Sequence, residues 1–174
     1  MSTEKPTLAA KPGQIGIDPR GPRFGAGVTA LVLLIVVALG LLTPLGPTIV
    51  ERAAEPGLIL LVFATVIFGW GAFAGIQRHP YGLFYKNVIR PRLSPPSHLE
   101  DPVPPTFAQG VGFVIALAGV VLHLAGIPFA LVIAASAAFI AAFLNSVFGY
   151  CLGCQIYLLL VRAGILGRGG SAAA

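Results

Sequence analysis

Charge is scarce in this chain. Only 10% of its 174 residues are charged, and only six residues are Asp or Glu. Soluble domains carry about 25% charged residues, which cover the apolar interior with a hydrated shell. With 56% hydrophobic residues and a mean hydropathy of +0.90, this chain has too few charges for such a shell. The composition therefore excludes a soluble globular domain and indicates a surface covered largely by lipid.

Cysteine is almost absent, and so are the common catalytic motifs. Two cysteines are too few for a disulfide-stapled secreted scaffold. The chain has no glycine-rich phosphate loop, no HExxH zinc motif and no serine nucleophile elbow. The apolar runs contain no carboxylate, so nothing indicates a proton or cation relay across a membrane. We expect no bound cofactor and no metal site.

Four long runs without charge dominate the chain. They cover residues 24–42, 57–76, 107–126 and 128–161. About 20 helical residues cross the hydrocarbon of a bilayer, so each of the first three runs fits one crossing. The fourth is too long for one crossing and too short for two, and we interpret it as a span from Pro128 to about Tyr150 followed by a short interfacial helix. The sequence predicts an all-α membrane protein with four transmembrane helices and a short C-terminal interfacial helix.

The ends of the chain differ from its middle. Residues 1–23 form a polar tail interrupted by Pro and Gly, and residues 167–174 are rich in Gly and Ala. We expect the first segment to be a cytoplasmic tail and the second to be disordered. The membrane domain is predicted over residues 24–166.

Lysine and arginine are distributed unevenly over the predicted loops. Ten of the eleven lie in the N-terminal tail, in the loop between the second and third spans, or after the fourth span; the exception is Arg52. With four spans these three regions share one side, so the positive-inside rule predicts a plasma-membrane protein with both termini in the cytoplasm. The basic residues do not form a patch with interleaved aromatics, and we expect no nucleic acid partner.

Two halves of the chain resemble each other. Residues 22–28 (PRFGAGV) and 105–111 (PTFAQGV) open the first and third spans and match at four of seven positions. After the second and fourth spans, Tyr85 and Arg90 recur as Tyr157 and Arg162 with the same spacing. Each half has an even number of crossings. We therefore predict two similar hairpins, about 24–90 and 107–162, related by a pseudo-twofold axis along the membrane normal.

The chemical motif of the chain is a CxxC formed by Cys151 and Cys154. Side chains at i and i+3 share a helix face, so the sulfurs can form a dithiol, a disulfide or half of a metal site. A cysteine at a helix N-terminus also has its thiolate stabilised by free N–H groups and by the helix dipole. Because the fourth span is expected to end near Cys151, the pair is predicted at the cytoplasmic interface. The alternative is that both residues only pack there as small apolar side chains.

His79 is a second candidate because of the repeat. It precedes Cys151 by 72 positions, the same separation as that of Tyr85 and Tyr157. We therefore expect His79 at a depth similar to that of Cys151, where an imidazole can lower the pKa of a thiol or share a metal with it. The alternative is a solvated loop histidine beside Arg78.

Three of these segments resemble an uncharacterised bacterial family of integral membrane proteins, domain of unknown function 4395. They are residues 18–24 (DPRGPRF), 105–108 (PTFA) and 151–154 (CLGC). The resemblance covers about residues 16–166 and implies about four helices in the inner membrane, with no established activity. It also implies that the protein is encoded near thioredoxin-like and sulfurtransferase-like proteins, which favours sulfur and redox chemistry over transport.

Two functional hypotheses follow. In the first, Cys151 and Cys154 exchange electrons or sulfur with a cytoplasmic thioredoxin-like or rhodanese-like partner. In the second, the chain is a non-enzymatic membrane module, either a scaffold for such a partner or a small transporter subunit. A homo-oligomer is compatible with this second hypothesis. The sequence does not decide whether the chain is an enzyme. A thiol role requires both sulfurs, whereas a scaffold tolerates serine at both positions.

Overall fold

The computed structural model describes residues 8–10 and 13–166. Residues 1–7, 11 and 12 of the predicted N-terminal tail and all of the predicted C-terminal tail, 167–174, lie outside these residues. Within them the chain is helical, and extended pairing is limited to isolated bridges of Glu100 with Ala9 and Ile17. The α-helices are α1 (Arg20–Leu42), α2 (Ile49–Ala53), α3 (Pro56–Ala74), α4 (Pro80–Phe84), α5 (Val103–Leu124), α6 (Ala130–Phe148) and α7 (Leu152–Arg162).

Helices α1, α3, α5 and α6 are long and apolar enough to cross a membrane, and α7 is a shorter apolar helix. The predicted fold class, four spanning helices followed by a short C-terminal helix, is confirmed. Two helices begin before the apolar runs do. Helix α1 starts at Arg20 rather than residue 24, and α5 starts at Val103 rather than residue 107. Pro22 lies in the first turn of α1, and Pro104 and Pro105 lie in the first turn of α5. Proline is compatible with the first turn because the N–H groups there have no intrahelical partner, so both helices can begin before these prolines.

The core of the bundle lies where the four long helices meet. Helix α1 packs mainly on α6, and α3 packs mainly on α5, while the sequential pairs α1–α3 and α5–α6 are also in contact. Small residues permit the close approach that helices in lipid require. Ala130, Ala134 and Ala138 are buried at four-residue steps on α6. A Cβ added at Gly119 of α5 would collide with the Cβ of Ala134.

One end of the bundle is held by a polar cluster. The Glu55 carboxylate contacts the His123 ring, with 2.8 Å between Oε2 and Nε2, and it also accepts the N–H of Gly46 at 3.0 Å. Arg52 Nε donates to the carbonyl of Leu124 at 3.1 Å. These bonds join the connection between α1 and α3 to the C-terminus of α5.

Basic side chains divide unevenly between the two ends of the bundle. Arg52 lies at the end just described, beside Leu124. The described ranges contain seven other basic residues. They lie in the first turn of α1, between α3 and α5, or at the C-terminus of α7: Arg20, Arg23, Arg78, Lys86, Arg90, Arg92 and Arg162. The site described next lies at this basic end.

Candidate functional site

The segment between α6 and α7 places the cysteines at a helix start. Gly149 ends α6 in the left-handed conformation, with φ of 68°, which glycine adopts without steric cost. Its N–H donates to Asn145 O at 3.0 Å, and the next N–H, of Tyr150, donates to Leu144 O at 3.2 Å. This C-terminal cap turns the chain sharply, so α7 can begin at Leu152, three residues after Gly149.

Cys151 is the N-cap residue of α7. Its backbone is extended, with φ of −84° and ψ of 99°, and its sulfur accepts the N–H of Cys154 at 3.2 Å. The Cα atoms of Cys151 and Cys154 are 5.2 Å apart, and the two sulfurs are joined as a disulfide. This separation lies within the range that disulfides require, about 4.4–6.8 Å. The spacing thus brings the two sulfurs together, as the sequence indicated.

The two cysteines differ in accessibility. Cys154 is 2% exposed, whereas Cys151 is only partly buried. Burial of Cys154 depends on close contact between α7 and α5, because a Cβ added at Gly153 would lie 2.5 Å from the Cβ of Ala108. Two residues of the same helices, Tyr157 and Phe107, pack ring against ring at 5.6 Å. Cys151 is therefore the more exposed residue of the pair.

Arg23 brings a positive charge to the turn before Cys151. Its Nη2 donates to the carbonyls of Ser146 at 3.4 Å and Val147 at 3.3 Å, which are left unpaired at the C-terminus of α6. Its guanidinium carbon lies 3.4 Å from the position that a Cβ at Gly149 would occupy. The sequence showed Arg23 only as a basic residue before the first span. Residues 23 and 146 are too far apart in the chain for any spacing rule to indicate this contact.

His79 is the N-cap residue of α4, the position that Cys151 has in α7. Its side chain is buried, with 4% of the residue exposed, so the solvated-loop alternative is wrong. The ring packs edge-on against Tyr81, with 5.2 Å between centroids. Burial lowers the pKa of His79 to about 4, so the imidazole is neutral at pH 7.

The structure does not group His79 with the cysteines. His79 lines a cavity of about 270 Å³ between α1, α4 and α5, and the lining of this cavity includes neither Cys151 nor Cys154. Within the described residues, no three His, Cys, Asp or Glu side chains are arranged to hold a metal ion. The CxxC pair therefore has no second half of a metal site in that part of the chain.

A polar cluster around Asp18 forms part of the lining of this cavity. The buried Asp18 carboxylate accepts two bonds from the Arg20 guanidinium, Nη2 to Oδ2 at 2.8 Å and Nε to Oδ1 at 3.0 Å. The Tyr85 hydroxyl donates to Oδ2 at 3.4 Å, and Arg90 Nε lies 3.9 Å from the same oxygen. Hydrogen bonding from Arg20 holds the pKa of Asp18 below its usual value. The sequence indicated Asp18 and Arg20 but not their meeting with Tyr85, which is 67 residues away.

The fold and this site define a class: a multi-pass α-helical membrane protein with a cysteine pair at one end of its last spanning helix. The model of a family described as Domain of unknown function (DUF4395) matches residues 17–162. The chain belongs to this family, so the resemblance in its three short motifs is confirmed. No curated protein and no solved structure matches the chain.

Proposed function

We propose that the protein is a membrane-embedded thiol–disulfide component that exchanges two electrons with a dithiol protein of the cytoplasm. The observation that carries the proposal is the bond from the Cys154 N–H to the Cys151 sulfur in the first turn of α7. The same N–H group and the α7 dipole stabilise a thiolate at Cys151 when the disulfide is open. Arg23, at the turn before Cys151, adds a positive charge.

The exchange needs two successive displacements. A thiolate of a thioredoxin-like partner attacks the partly exposed Cys151 sulfur, the Cys151–Cys154 bond breaks, and Cys154 leaves as a thiolate that takes up a proton. The second thiolate of the partner then attacks its own sulfur in the mixed disulfide and releases Cys151 as a thiolate, which takes up the second proton. Two electrons and two protons pass from the partner dithiol to this chain, and the partner becomes a disulfide. The reverse sequence oxidises Cys151 and Cys154.

Sulfur transfer uses the same nucleophile. The Cys151 thiolate attacks the terminal sulfur of a persulfide on a rhodanese-like partner, and the partner leaves as a thiolate. The partial exposure of Cys151 suits either reaction. A non-enzymatic scaffold is the alternative function. The burial of Cys154 and the tight Gly153–Ala108 contact favour the scaffold, because the CxxC residues also pack α7 against α5.

The proposed location is the cytoplasmic face of the plasma membrane, with both termini in the cytoplasm. The support is the distribution of basic residues. The end of the bundle that carries the cysteines has seven of the basic residues in the described ranges, against Arg52 at the other end. Cytoplasmic loops are enriched in Lys and Arg.

An internal repeat is part of the proposal. Asp18 and Asp101 are 83 positions apart, each precedes a proline, and each accepts the N–H two residues on, at 3.0 and 2.9 Å. Ile17 and Glu100, also 83 positions apart, exchange two N–H···O bonds of 2.9 Å. A pair of equivalent residues bonded to each other in this reciprocal way is what a twofold axis between them produces. Such an axis would relate His79, the N-cap residue of α4, to Cys151, the N-cap residue of α7.

Trapping of the partner tests the function. In a Cys154→Ser variant, Cys151 should hold a partner in a mixed disulfide that migrates as a larger species on non-reducing gels and disappears with dithiothreitol. The Cys151→Ser variant is the matched control and should trap nothing, because the remaining sulfur is buried. Equal trapping by both variants would contradict the assigned roles. Full rescue of a deletion phenotype by the double serine variant would favour the scaffold.

A further inference from the structure

The cavity beside His79 is separate from the cysteine pair. It has a volume of about 270 Å³, near the lower limit of about 300 Å³ for small-molecule sites. The charged residues of its lining are Asp18, Lys86 and Arg90. The lining also includes the uncharged polar side chains of Thr29 on α1 and Gln109 on α5, and the larger part of its surface is apolar.

Two polar groups of this lining have no partner among the described residues. The Gln109 Oε1 atom is buried and accepts no hydrogen bond. The His79 ring, in a residue that is 4% exposed, packs edge-on against Tyr81 and forms no hydrogen bond to the described residues, but its nitrogens are not fully enclosed as Gln109 Oε1 is. Buried polar groups in native proteins nearly always have a partner. The buried acceptor at Gln109 therefore suits a ligand that donates a hydroxyl group to it.

The charged end of the cavity has a surplus of positive charge. The Asp18 carboxylate is already paired with the Arg20 guanidinium at 2.8 Å. Arg90 lies 3.9 Å from Asp18, and the Lys86 ammonium makes no ion pair within the described residues. Two cations, Lys86 and Arg90, thus line a cavity that also presents the uncharged polar side chains of Thr29 and Gln109. Lys and Arg are the residues that bind phosphate groups.

We infer that this cavity binds a phosphate ester that carries free hydroxyl groups, with the phosphate between Lys86 and Arg90 and a hydroxyl donating to Gln109 Oε1. Such a group occurs in soluble glycerol phosphate and in the headgroup of phosphatidylglycerol. The position of the cavity at the basic end of the bundle suits either source. The inference does not depend on the thiol function, because neither cysteine lines the cavity.

Titration calorimetry with glycerol 3-phosphate tests the inference on the full chain in phosphatidylcholine nanodiscs. We expect saturable binding of one ligand per chain, weakened about tenfold or more in Arg90→Gln and in Gln109→Leu. Arg92→Gln is the matched control: Arg92 is exposed, two residues from Arg90 and outside the lining, and its loss should leave affinity unchanged. Lys86→Gln replaces Arg90→Gln if the latter does not fold. Cys151→Ser with Cys154→Ser should bind as the wild type does.

Native mass spectrometry with phosphatidylglycerol separates the two sources. If the lipid is retained at one molecule per chain with the same dependence on Arg90 and Gln109, while glycerol 3-phosphate does not bind, the site holds a lipid headgroup. If neither ligand binds, or if Arg92→Gln weakens binding as much as Arg90→Gln, the inference is wrong.

Discussion

At the scale of single residues, Gly153 decides how closely α7 approaches α5. A side chain there would meet Ala108, whose Cβ lies 2.5 Å and whose Cα lies 2.7 Å from the position of an added Cβ. Both atoms are on or next to the backbone of a spanning helix and cannot rotate away. The CxxC motif therefore carries a packing requirement in its third position in addition to its two sulfurs.

We expect Gly153→Ala to destabilise the protein by about 1–3 kcal/mol, because α7 must move away from α5. Thermal unfolding in detergent measures this loss. Gly110→Ala is the matched control on α5, since the nearest atom to its added Cβ is 4.0 Å away. Equal stability of the two variants would show that the contact between α7 and α5 is loose.

The buried imidazole of His79 predicts a loss of stability in acid. Its pKa is lowered to about 4 by burial, whereas in the unfolded chain it returns to 6.5. The unfolded state therefore binds the proton more readily. Stability is unaffected by His79 above pH 6.5 and falls as the pH drops from 6.5 towards 4. The loss is at most roughly 3 kcal/mol.

His79→Gln should flatten this part of the pH profile of unfolding. His98→Gln is the control, because the His98 side chain is 61% exposed. The account of His79 fails if the two variants have the same profile as the wild type between pH 4 and pH 6.5.

At the scale of helices, the existence of each span could be predicted from the sequence, but the starts of α1 and α5 could not. Pro104 and Pro105 precede the third apolar run, yet they lie in the first turn of α5. The short helices α2 and α4 were not predicted, since neither has enough residues for a periodic pattern. What fixes the starts of α1 and α5 is local: an aspartate caps the N–H two residues later, at Asp18 and at Asp101.

These two aspartates allow a comparison of equivalent helix starts. Asp18→Asn keeps a capping oxygen but removes the charge that Arg20 and Arg90 face, whereas Asp101 has no such cationic pair in the described residues. We expect Asp18→Asn to cost about 1–2 kcal/mol more than Asp101→Asn in chemical denaturation. Equal costs would mean that the Asp18–Arg20 pair contributes nothing beyond the cap.

At the scale of the whole molecule, the candidate site was only partly predictable. The CxxC spacing predicted that the sulfurs meet, on the basis that i and i+3 positions share a face of a helix; in the structure they meet across the N-cap of α7, with Cys151 extended. The contact of Arg23 with the C-terminus of α6 and the cavity that includes Asp18 and Gln109 depend on how α1, α5 and α6 pack. Spacing rules describe neighbours along one helix, so they do not extend to contacts between helices.

The central claim is that Cys151 and Cys154 cycle between dithiol and disulfide at the cytoplasmic face. Labelling with a membrane-impermeant maleimide in sealed vesicles tests it most directly. After reduction, inverted vesicles should label Cys151 rapidly without detergent, right-side-out vesicles should not, and prior oxidation should block the reaction. Labelling of either cysteine only after detergent denaturation, or only in right-side-out vesicles, would contradict the claim.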